Sequence, residues 1–370
     1  MSDTAKNIEG WIAPRPAPSG TVGAVAWMRE NLFSSVGNSI LTILGLALIV
    51  WLVPGLIEWG FLTADFTGES RKDCTSEGAC WALVSVRWKQ LLYGFYESEG
   101  SLWRPNIAFV GLLIAVVPLL FDKIAYRKYL LWFSLAYPFL AWWLLSGGFF
   151  GLEFVDTHKW GGLLLTVVIG VVGIVLSLPI GIVLALGRRS TMPAIRMLCV
   201  IFIEFIRGVP LITLLFMASN MLPLFFPEGV DLDKLIRALV VVVLFSSAYM
   251  AEVVRGGLQA IPKGQYEAAD AMGLSFWKSM FLIILPQALK IVIPGIVNSF
   301  IGLFKDTTLV SVIGLLDILG IAKAAVTHSD WIGLAREAYV SVAVVYFVFC
   351  FSMSRYSIWL EQKLDTGHKR

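Results

Sequence analysis

Charged residues are scarce in this sequence. Only 15% of its 370 residues are Asp, Glu, Lys or Arg, 58% are apolar, and the mean hydropathy is +0.78. Values so far outside the ordinary soluble range predict an integral membrane protein. The basic residues form no block interleaved with aromatics and the net charge is only +3, so nucleic-acid binding is not expected.

Residues that bind metals or perform catalysis are also few. The histidines His158, His328 and His368 are far apart, the four cysteines include no CxxC pair, and no metal-ligand spacing is present. HExxH and GxSxG motifs are absent, and no two carboxylates at matched helical depth indicate acid–base chemistry. The sequence therefore predicts neither an enzyme nor a metal site.

Two further sequence signals are missing. There is no GxxxxGK[ST] phosphate-binding loop, and the dipeptide Gly-Lys does not occur at all, so no nucleotide cofactor is predicted in this chain. The first apolar run begins late and is too long for a signal peptide, so none is expected.

Long apolar runs, by contrast, are abundant. A helix needs about 20 apolar residues to cross the hydrocarbon core, and eight segments meet or approach that length. We therefore predict an all-α integral membrane protein with about eight transmembrane helices. The predicted spans are 37–61, 106–121, 130–147, 161–186, 195–226, 235–256, 287–305 and 338–360.

The short loops predict the orientation of the chain. Loops 122–129 and 188–196 are compact and basic, which the positive-inside rule assigns to the cytoplasm. Both termini and segment 262–286 are then cytoplasmic, and segment 62–105 is external. Residues 1–36 are predicted to be a mostly soluble tail, with a short helix near its end.

Segment 262–286 is the part of the chain best suited to an aqueous partner, although it lies between two apolar runs. A short helix is predicted over 266–272, with Gly273 as its left-handed C-terminal cap. Ser275 is expected to accept a backbone hydrogen bond as the cap of a second helix, which Pro286 would end. The segment thus predicts two short helices set at an angle.

The first of these helices has the shape of a docking element. Ala268 and Ala269 keep one face small, and Glu267 and Asp270 supply charge at its edge. Glu267-Ala268-Ala269, then Gly273 after three intervening residues, then the Leu285-Pro286 ending, resemble the "EAA" coupling loop of ABC importer permeases. The resemblance implies a coupling element that docks on a separate ATPase, formed by Glu267, Ala268, Ala269, Asp270, Gly273 and Pro286.

Two short sequence segments within predicted spans each place a glutamate and an arginine three residues apart. Glu204 and Arg207, and likewise Glu252 and Arg255, share a helix face and can partly neutralise each other. Ionisable groups at membrane depth usually face a protein interior or a water-filled cavity. The pairs either line or gate the route of a zwitterionic or charged substrate, or they lock helices together; for Arg255 the structural role is favoured.

The residues around these pairs extend the resemblance. Segments 207–211 and 249–252 are similar to the polar amino acid group of ABC permeases. That group usually has Thr where this chain has Val209, so any hydroxyl contact made there to substrate is absent. Pro210 removes an intrahelical hydrogen bond and is predicted to kink the fifth span.

A third polar group lies at the seventh span. Segment 305–314 again resembles the family, and Lys305 with Asp306 is interpreted as an ion pair at the outer interface in preference to a substrate contact. Asn298 is compatible with a hydrogen bond to a helix or to a ligand. The substrate-path candidates are Glu204, Arg207, Tyr249, Glu252 and Asn298, and structural or gating roles are assigned to Pro210, Arg255, Lys305 and Asp306.

The resemblance covers the chain from about residue 161 to its end and implies a five-helix type I permease core. We accordingly predict a cytoplasmic tail over 1–36, a three-helix addition over 37–155 with the external loop 62–105, and the core over 156–370. If that loop faces an oxidising periplasm, Cys74 and Cys80 can form a disulfide; two free thiols fit the sequence equally well.

With this addition and the phrase Ala79-Cys80-Trp81, the chain is most similar to a permease subunit of the general L-amino acid transporters of Gram-negative bacteria. The resemblance implies import of L-amino acids, of broad or polar and charged specificity, across the bacterial inner membrane. It implies as partners an ATP-binding cassette ATPase dimer that binds ATP and Mg, a second homologous permease, a periplasmic amino acid-binding protein and membrane lipid. The alternative is an ion-coupled secondary amino acid carrier, for which Glu204 is the only candidate ion site.

Overall fold

The computed structural model describes residues 23–96, 101–121, 123–124, 126–227 and 232–364. Within these ranges the chain is helical and contains no extended strand, only two isolated bridges. The predicted all-α membrane fold is confirmed. Residues 1–22 of the predicted tail, positions 122 and 125 of the basic loop 122–129, and His368 lie outside the described residues.

Fifteen α-helices occur in the described ranges. They are α1 Ala24–Asn31, α2 Val36–Ile57, α3 Ala82–Tyr93, α4 Trp103–Leu120, α5 Arg127–Ser146, α6 Gly162–Arg188, α7 Pro193–Gly208, α8 Leu211–Asn220, α9 Lys234–Ala260, α10 Lys263–Ala271, α11 Phe276–Ser279, α12 Leu285–Ile291, α13 Ile293–Asp306, α14 Ile318–Thr327 and α15 Ala335–Leu364. Short π or 3-10 turns lie at Glu58–Leu62, Arg71–Asp73, Thr157–Lys159, Leu222–Phe225, Met280–Ile284 and Thr307–Ile313.

Seven helices of the described chain are long and apolar enough to cross a membrane, and the bent pair α7–α8 makes eight if it is one span. This agrees with the predicted number. The predicted kink at Pro210 is a complete break, because α7 and α8 meet at 101°. Val209 precedes a proline and takes the extended conformation that this position favours, so the helix cannot continue through it.

Two boundaries in the C-terminal half differ from the prediction. Pro286 does not end the helix that begins after Ser275: the chain passes from the π turn Met280–Ile284 directly into α12, with Pro286 in its first turn. A proline is accommodated there because the π turn already interrupts the regular hydrogen bonding: the Leu285 N–H donates to the Met280 carbonyl, five residues back. The seventh span instead starts at Ile293, after a break at Val292.

The chain divides into two compact units. The smaller unit, 1–65 with 75–79, contains α1 and α2. Ser76 donates hydrogen bonds from its backbone N–H and its hydroxyl to the Asp65 carboxylate, which lowers the pKa of Asp65. No residue of α2 is buried, as expected for an apolar helix surrounded by lipid.

The larger unit, 66–74 with 80–370, is organised around α6 and α9. Their close approach depends on glycine: a Cβ added at Gly181 of α6 would lie 2.7 Å from the Met250 Cβ of α9. Buried apolar side chains from α6, α7, α9 and α12 form a core around this contact. Helix α15 packs on α13 and α14. The α6–α9 pair is thus the rigid frame on which the polar residues are placed.

The segment predicted over 62–105 as an external loop contains a helix, α3, which packs on α6 and α14. In the structure Cys74 and Cys80 are joined in a disulfide, with their Cα atoms 5.8 Å apart. Next to it, the Arg71 backbone N–H donates to the Asp330 carbonyl at 2.8 Å, and the Arg71 guanidinium donates to the Ile332 carbonyl. The loop is thereby fixed to the segment between α14 and α15.

Candidate functional site

Helix α10 is attached to its own subunit on one side. The Tyr266 hydroxyl donates to the Leu258 carbonyl of α9 at 3.0 Å, and Arg189, just after α6, donates to the Tyr266 oxygen at 3.0 Å. The Arg189 guanidinium also lies over the Tyr266 ring, 5.5 Å from its centroid. Ala269 is fully buried beneath the helix. These contacts attach α10 to the ends of α6 and α9.

The other side of α10 is exposed. Glu267, Ala268 and Asp270 face outward in the described structure. At the C-terminal end, Gly273 has the predicted left-handed conformation, with φ at 70°. Its N–H donates to the Asp270 carbonyl and the Leu274 N–H to the Ala269 carbonyl, which is the Schellman pattern. The cap orients the outward face and turns the chain towards α11.

Two expectations for this segment are wrong in detail. Ala268 and Ala269 do not share one docking face, because Ala269 packs inward while Ala268 points outward. Ser275 occupies the position before α11, but its side chain makes no capping hydrogen bond. The sequence interpretation also missed the exposed aromatics of α11, Phe276 and Trp277, which the run FWKSMF could have indicated. Adjacent residues of a helix point about 100° apart, so Ala268 and Ala269 could not share a face.

A network of ion pairs joins α6, α7 and α9. Arg188, the last residue of α6, contacts the Glu252 carboxylate of α9 at 2.8 Å and the Glu204 carboxylate of α7 at 2.8 Å. Arg255 contacts the second Glu252 oxygen at 2.7 Å, and Arg207 approaches it at 3.8 Å. Glu252 is therefore shared by three arginines, which together offset the cost of partly removing its carboxylate from water.

This arrangement corrects one predicted pair and retains the other. Glu252 and Arg255 pair as the i, i+3 spacing indicated. Glu204 pairs instead with Arg188, which the sequence interpretation placed in a loop, while Arg207 turns to Glu252 and to the Tyr249 ring, 5.4 Å from its centroid. A role in locking helices together, favoured for Arg255 and left open for Glu204 and Arg207, has a geometric basis here, because Arg188 links three helices.

A cavity of about 330 Å³ opens beside this network, between α6, α9 and α13. Tyr249, Asn298 and Asp306 line it, together with Ser177, Ser246, Ser299 and the apolar residues Phe245, Met250, Phe300, Gly302 and Leu303. Nothing in the described part of the chain hydrogen-bonds the side chains of Tyr249, Asn298 or Asp306. The cavity therefore presents polar groups to whatever occupies it.

The predicted ion pair between Lys305 and Asp306 is not formed: among the described residues, no contact within 4 Å joins them. Asp306 faces the cavity instead, because neighbours in a helix point about 100° apart. The ranges that the structure covers contain no group of three or more metal-ligating side chains.

The described chain thus combines an apolar helical frame, a cavity lined by polar and apolar side chains, and a short helix exposed on one side. Residues 177–366 match the family described as "Binding-protein-dependent transport system inner membrane component". The chain belongs to this family. The interpretation as an ABC importer permease is confirmed, and the ion-coupled carrier is not favoured.

Two relatives match the chain over nearly its whole length. The inner membrane amino-acid ABC transporter permease protein YhdY of Escherichia coli K12 is 54% identical over 96% of both chains. The glutamate/glutamine/aspartate/asparagine transport system permease protein BztC of Rhodobacter capsulatus is 45% identical over the full length of both. A crystal structure of an amino acid ABC transporter with histidines is 31% identical, covers 55% of this chain and 92% of its own, and has a TM-score of 0.49.

Proposed function

We propose that this permease imports amino acids, of broad or polar and charged specificity, across the bacterial inner membrane. The names of the Escherichia coli and Rhodobacter capsulatus relatives support amino acids as the substrate class. We further propose that it pairs with a second, homologous permease and receives its substrate from a periplasmic binding protein. ATP and Mg would be bound by an ATPase dimer and not by this chain.

The observation that carries the proposal is the geometry of α10. One side is held by Tyr266, Arg189 and Ala269, and the other presents Glu267, Ala268 and Asp270. A short helix that is rigidly held yet exposed is suited to insertion into a groove of a partner. We propose that this groove belongs to the ATPase, so that α10 and both chain termini lie in the cytoplasm.

Transmission from α10 would follow the α6–α9 frame. Tyr266 and Arg189 both donate a hydrogen bond to the Leu258 carbonyl, and Arg189 also donates to the Tyr266 hydroxyl. A displacement of α10 would therefore act on the ends of α6 and α9 together. The Arg188 network extends the connection to α7. These links favour movement of the three helices as one body, in a rocking motion between inward-open and outward-open states.

We propose that the cavity between α6, α9 and α13 is part of the substrate path. Its volume of about 330 Å³ lies at the lower end of the range of ligand pockets, roughly 300–1,000 Å³. The Asp306 carboxylate is suited to an α-ammonium group, and the Asn298 amide and the Tyr249 hydroxyl to a carboxylate. Asn298 and Tyr249 therefore stay candidates for substrate contact. Asp306, which was predicted to pair with Lys305, is added to them.

Charge reversal on α10 tests the proposal. Glu267→Lys should leave the chain inserted but abolish recovery of an ATPase with the tagged permease, and with it amino acid uptake. Glu361→Lys is the matched control, because Glu361 is an exposed residue of α15 and undergoes the same change of charge. If the Glu267→Lys protein recovers the ATPase and supports uptake as the control does, α10 is not the docking element.

A further inference from the structure

A second cavity, of about 550 Å³, lies between the C-terminal ends of α6 and α9 and the start of α7. We call it the arginine pocket, because its lining residues are Arg188, Arg189, Arg196, Val200, Arg255 and Gln259. It is on the same end of the helices as α10, since Arg189 contacts Tyr266. It is separate from the cavity lined by Asn298, with which it shares no lining residue.

The positive charge of the arginine pocket is not balanced by the protein. Glu204 and Glu252 are the carboxylates in contact with it, and they are shared among Arg188, Arg207 and Arg255. Arg189 contacts a tyrosine and a backbone carbonyl, and no carboxylate of the described residues. The Arg196 side chain makes no hydrogen bond or ion pair in the part of the chain described. Two guanidinium groups therefore lack a counter-charge.

Arg196 is placed where a cation is least expected. It lies at the end of the first turn of α7, where the positive end of the helix dipole disfavours a basic residue. It also faces a pocket that already holds three other guanidinium groups. An anion in the pocket would offset both the dipole and the like-charge repulsion.

The chemistry of the pocket selects the class of anion. Guanidinium groups bind the tetrahedral oxygens of phosphate in a bidentate manner, and several of them converge here. The pocket is formed at the ends of membrane-spanning helices, which places it at the depth of lipid head groups. Basic pockets between such helices on the cytoplasmic side are suited to anionic phospholipid.

We infer that the arginine pocket is a binding site for a phosphate group. Arg196 and Arg189 supply the unpaired guanidinium groups, and Arg188 and Arg255 hold the opposite wall through their contacts with Glu252. An anionic phospholipid head group and soluble phosphate share this chemistry. Occupancy of the site would tie together α6, α7 and α9 beside the coupling helix.

Ligand-dependent thermal unfolding of the purified full chain in nonionic detergent tests the inference. Dihexanoylphosphatidylglycerol, dihexanoylphosphatidylcholine and inorganic phosphate are titrated separately. We expect saturable stabilisation by the phosphatidylglycerol and none by the phosphatidylcholine. Arg196→Gln should raise the midpoint concentration about tenfold, which corresponds to roughly 1.4 kcal/mol at 25 °C. Because the Arg196 side chain makes no hydrogen bond or ion pair among the described residues, and its removal relieves like-charge repulsion, the unliganded Tm should not fall.

Two other variants separate the pocket from general surface charge. Arg355→Gln removes the same charge from an exposed position of α15 outside the pocket and should leave the midpoint unchanged. Val200→Phe keeps every charge but fills the pocket, and should weaken binding as Arg196→Gln does. Stabilisation by inorganic phosphate with the same dependence on Arg196 also supports the site and assigns it a soluble ligand. Equal effects of both lipids, or equal midpoints for Arg196→Gln and Arg355→Gln, would overturn the inference.

Discussion

The structure and the sequence spacing give Glu204 different ion-pair partners, and double-mutant cycles can distinguish the two. The spacing predicts that Glu204 couples with Arg207, three residues away on α7. The structure joins Glu204 to Arg188 at 2.8 Å and brings Arg207 to Glu252. Substitutions of these residues by glutamine remove the charge and keep most of the side-chain volume.

The expected coupling energies follow from exposure. The Glu252 side chain is 15% exposed and that of Arg188 is 24% exposed, so their contact should contribute at the lower end of charged hydrogen bonds, about 1.5–2 kcal/mol. The Glu204 side chain is 53% exposed, so its contact with Arg188 should contribute about 0.2–1 kcal/mol. Glu204 and Arg207 are connected only indirectly, through Arg188 and Glu252, so their coupling should be the smallest of the three.

The assay is equilibrium unfolding of each variant in mixed micelles titrated with sodium dodecyl sulfate, with free energies compared at one detergent composition. Three cycles are needed: Arg188 with Glu252, Arg188 with Glu204, and Arg207 with Glu204. We expect the coupling energy to decrease in that order. A large coupling of Glu204 with Arg207, together with none between Glu204 and Arg188, would refute the three-helix network and restore the local pair.

Three further predictions concern the coupling helix, the cavity and the helical frame. Tyr266→Phe removes the hydroxyl that bonds Leu258 and Arg189; we expect about 1 kcal/mol lower stability and more ATP hydrolysed per amino acid imported in the reconstituted complex, whereas an unchanged ratio would contradict the transmission route. Asp306→Asn should lower uptake at limiting substrate about tenfold without affecting recovery of the ATPase, and uptake equal to that of a Glu361→Gln control would exclude Asp306 from the path. Gly181→Ala places a Cβ 2.7 Å from that of Met250 and should lower the unfolding free energy by about 1–3 kcal/mol. The control Gly256→Ala, whose Cβ would meet nothing within 4 Å, should cause no such loss of stability. Equal stabilities of the two variants would disprove the close packing of α6 on α9.

Much of the membrane framework could be predicted from the sequence because apolar run length is a local property. The spans over 37–61 and 235–256 correspond to helices Val36–Ile57 and Lys234–Ala260 with boundaries a few residues apart. The Gly273 cap was equally predictable, since a glycine after a run of good helix formers specifies a left-handed end. Such signals need no knowledge of distant residues.

The network around Arg188 could not be predicted in the same way. Arg188 follows a long apolar run and has the appearance of an ordinary loop cation, and its partner Glu252 is 64 residues away. Only the packing of α6 against α9 brings the two together. The break at Pro210 and the continuation through Pro286 show a similar limit: both prolines remove an N–H, but the preceding backbone decides whether the helix stops.

Helix α9 contributes to four regions within the ten residues 249–258. Tyr249 lines the cavity, Glu252 holds the arginine network, Arg255 borders the arginine pocket, and the Leu258 carbonyl accepts the hydrogen bond from Tyr266 of α10. These residues recur every three positions, so the series winds around the helix by about 60° at each step and reaches different neighbours in turn. A rigid helix transmits a displacement at one end to the other without local rearrangement. Movement of α10 should therefore change the cavity wall at Tyr249 directly, and the charges in between serve to keep α6 and α7 moving with α9.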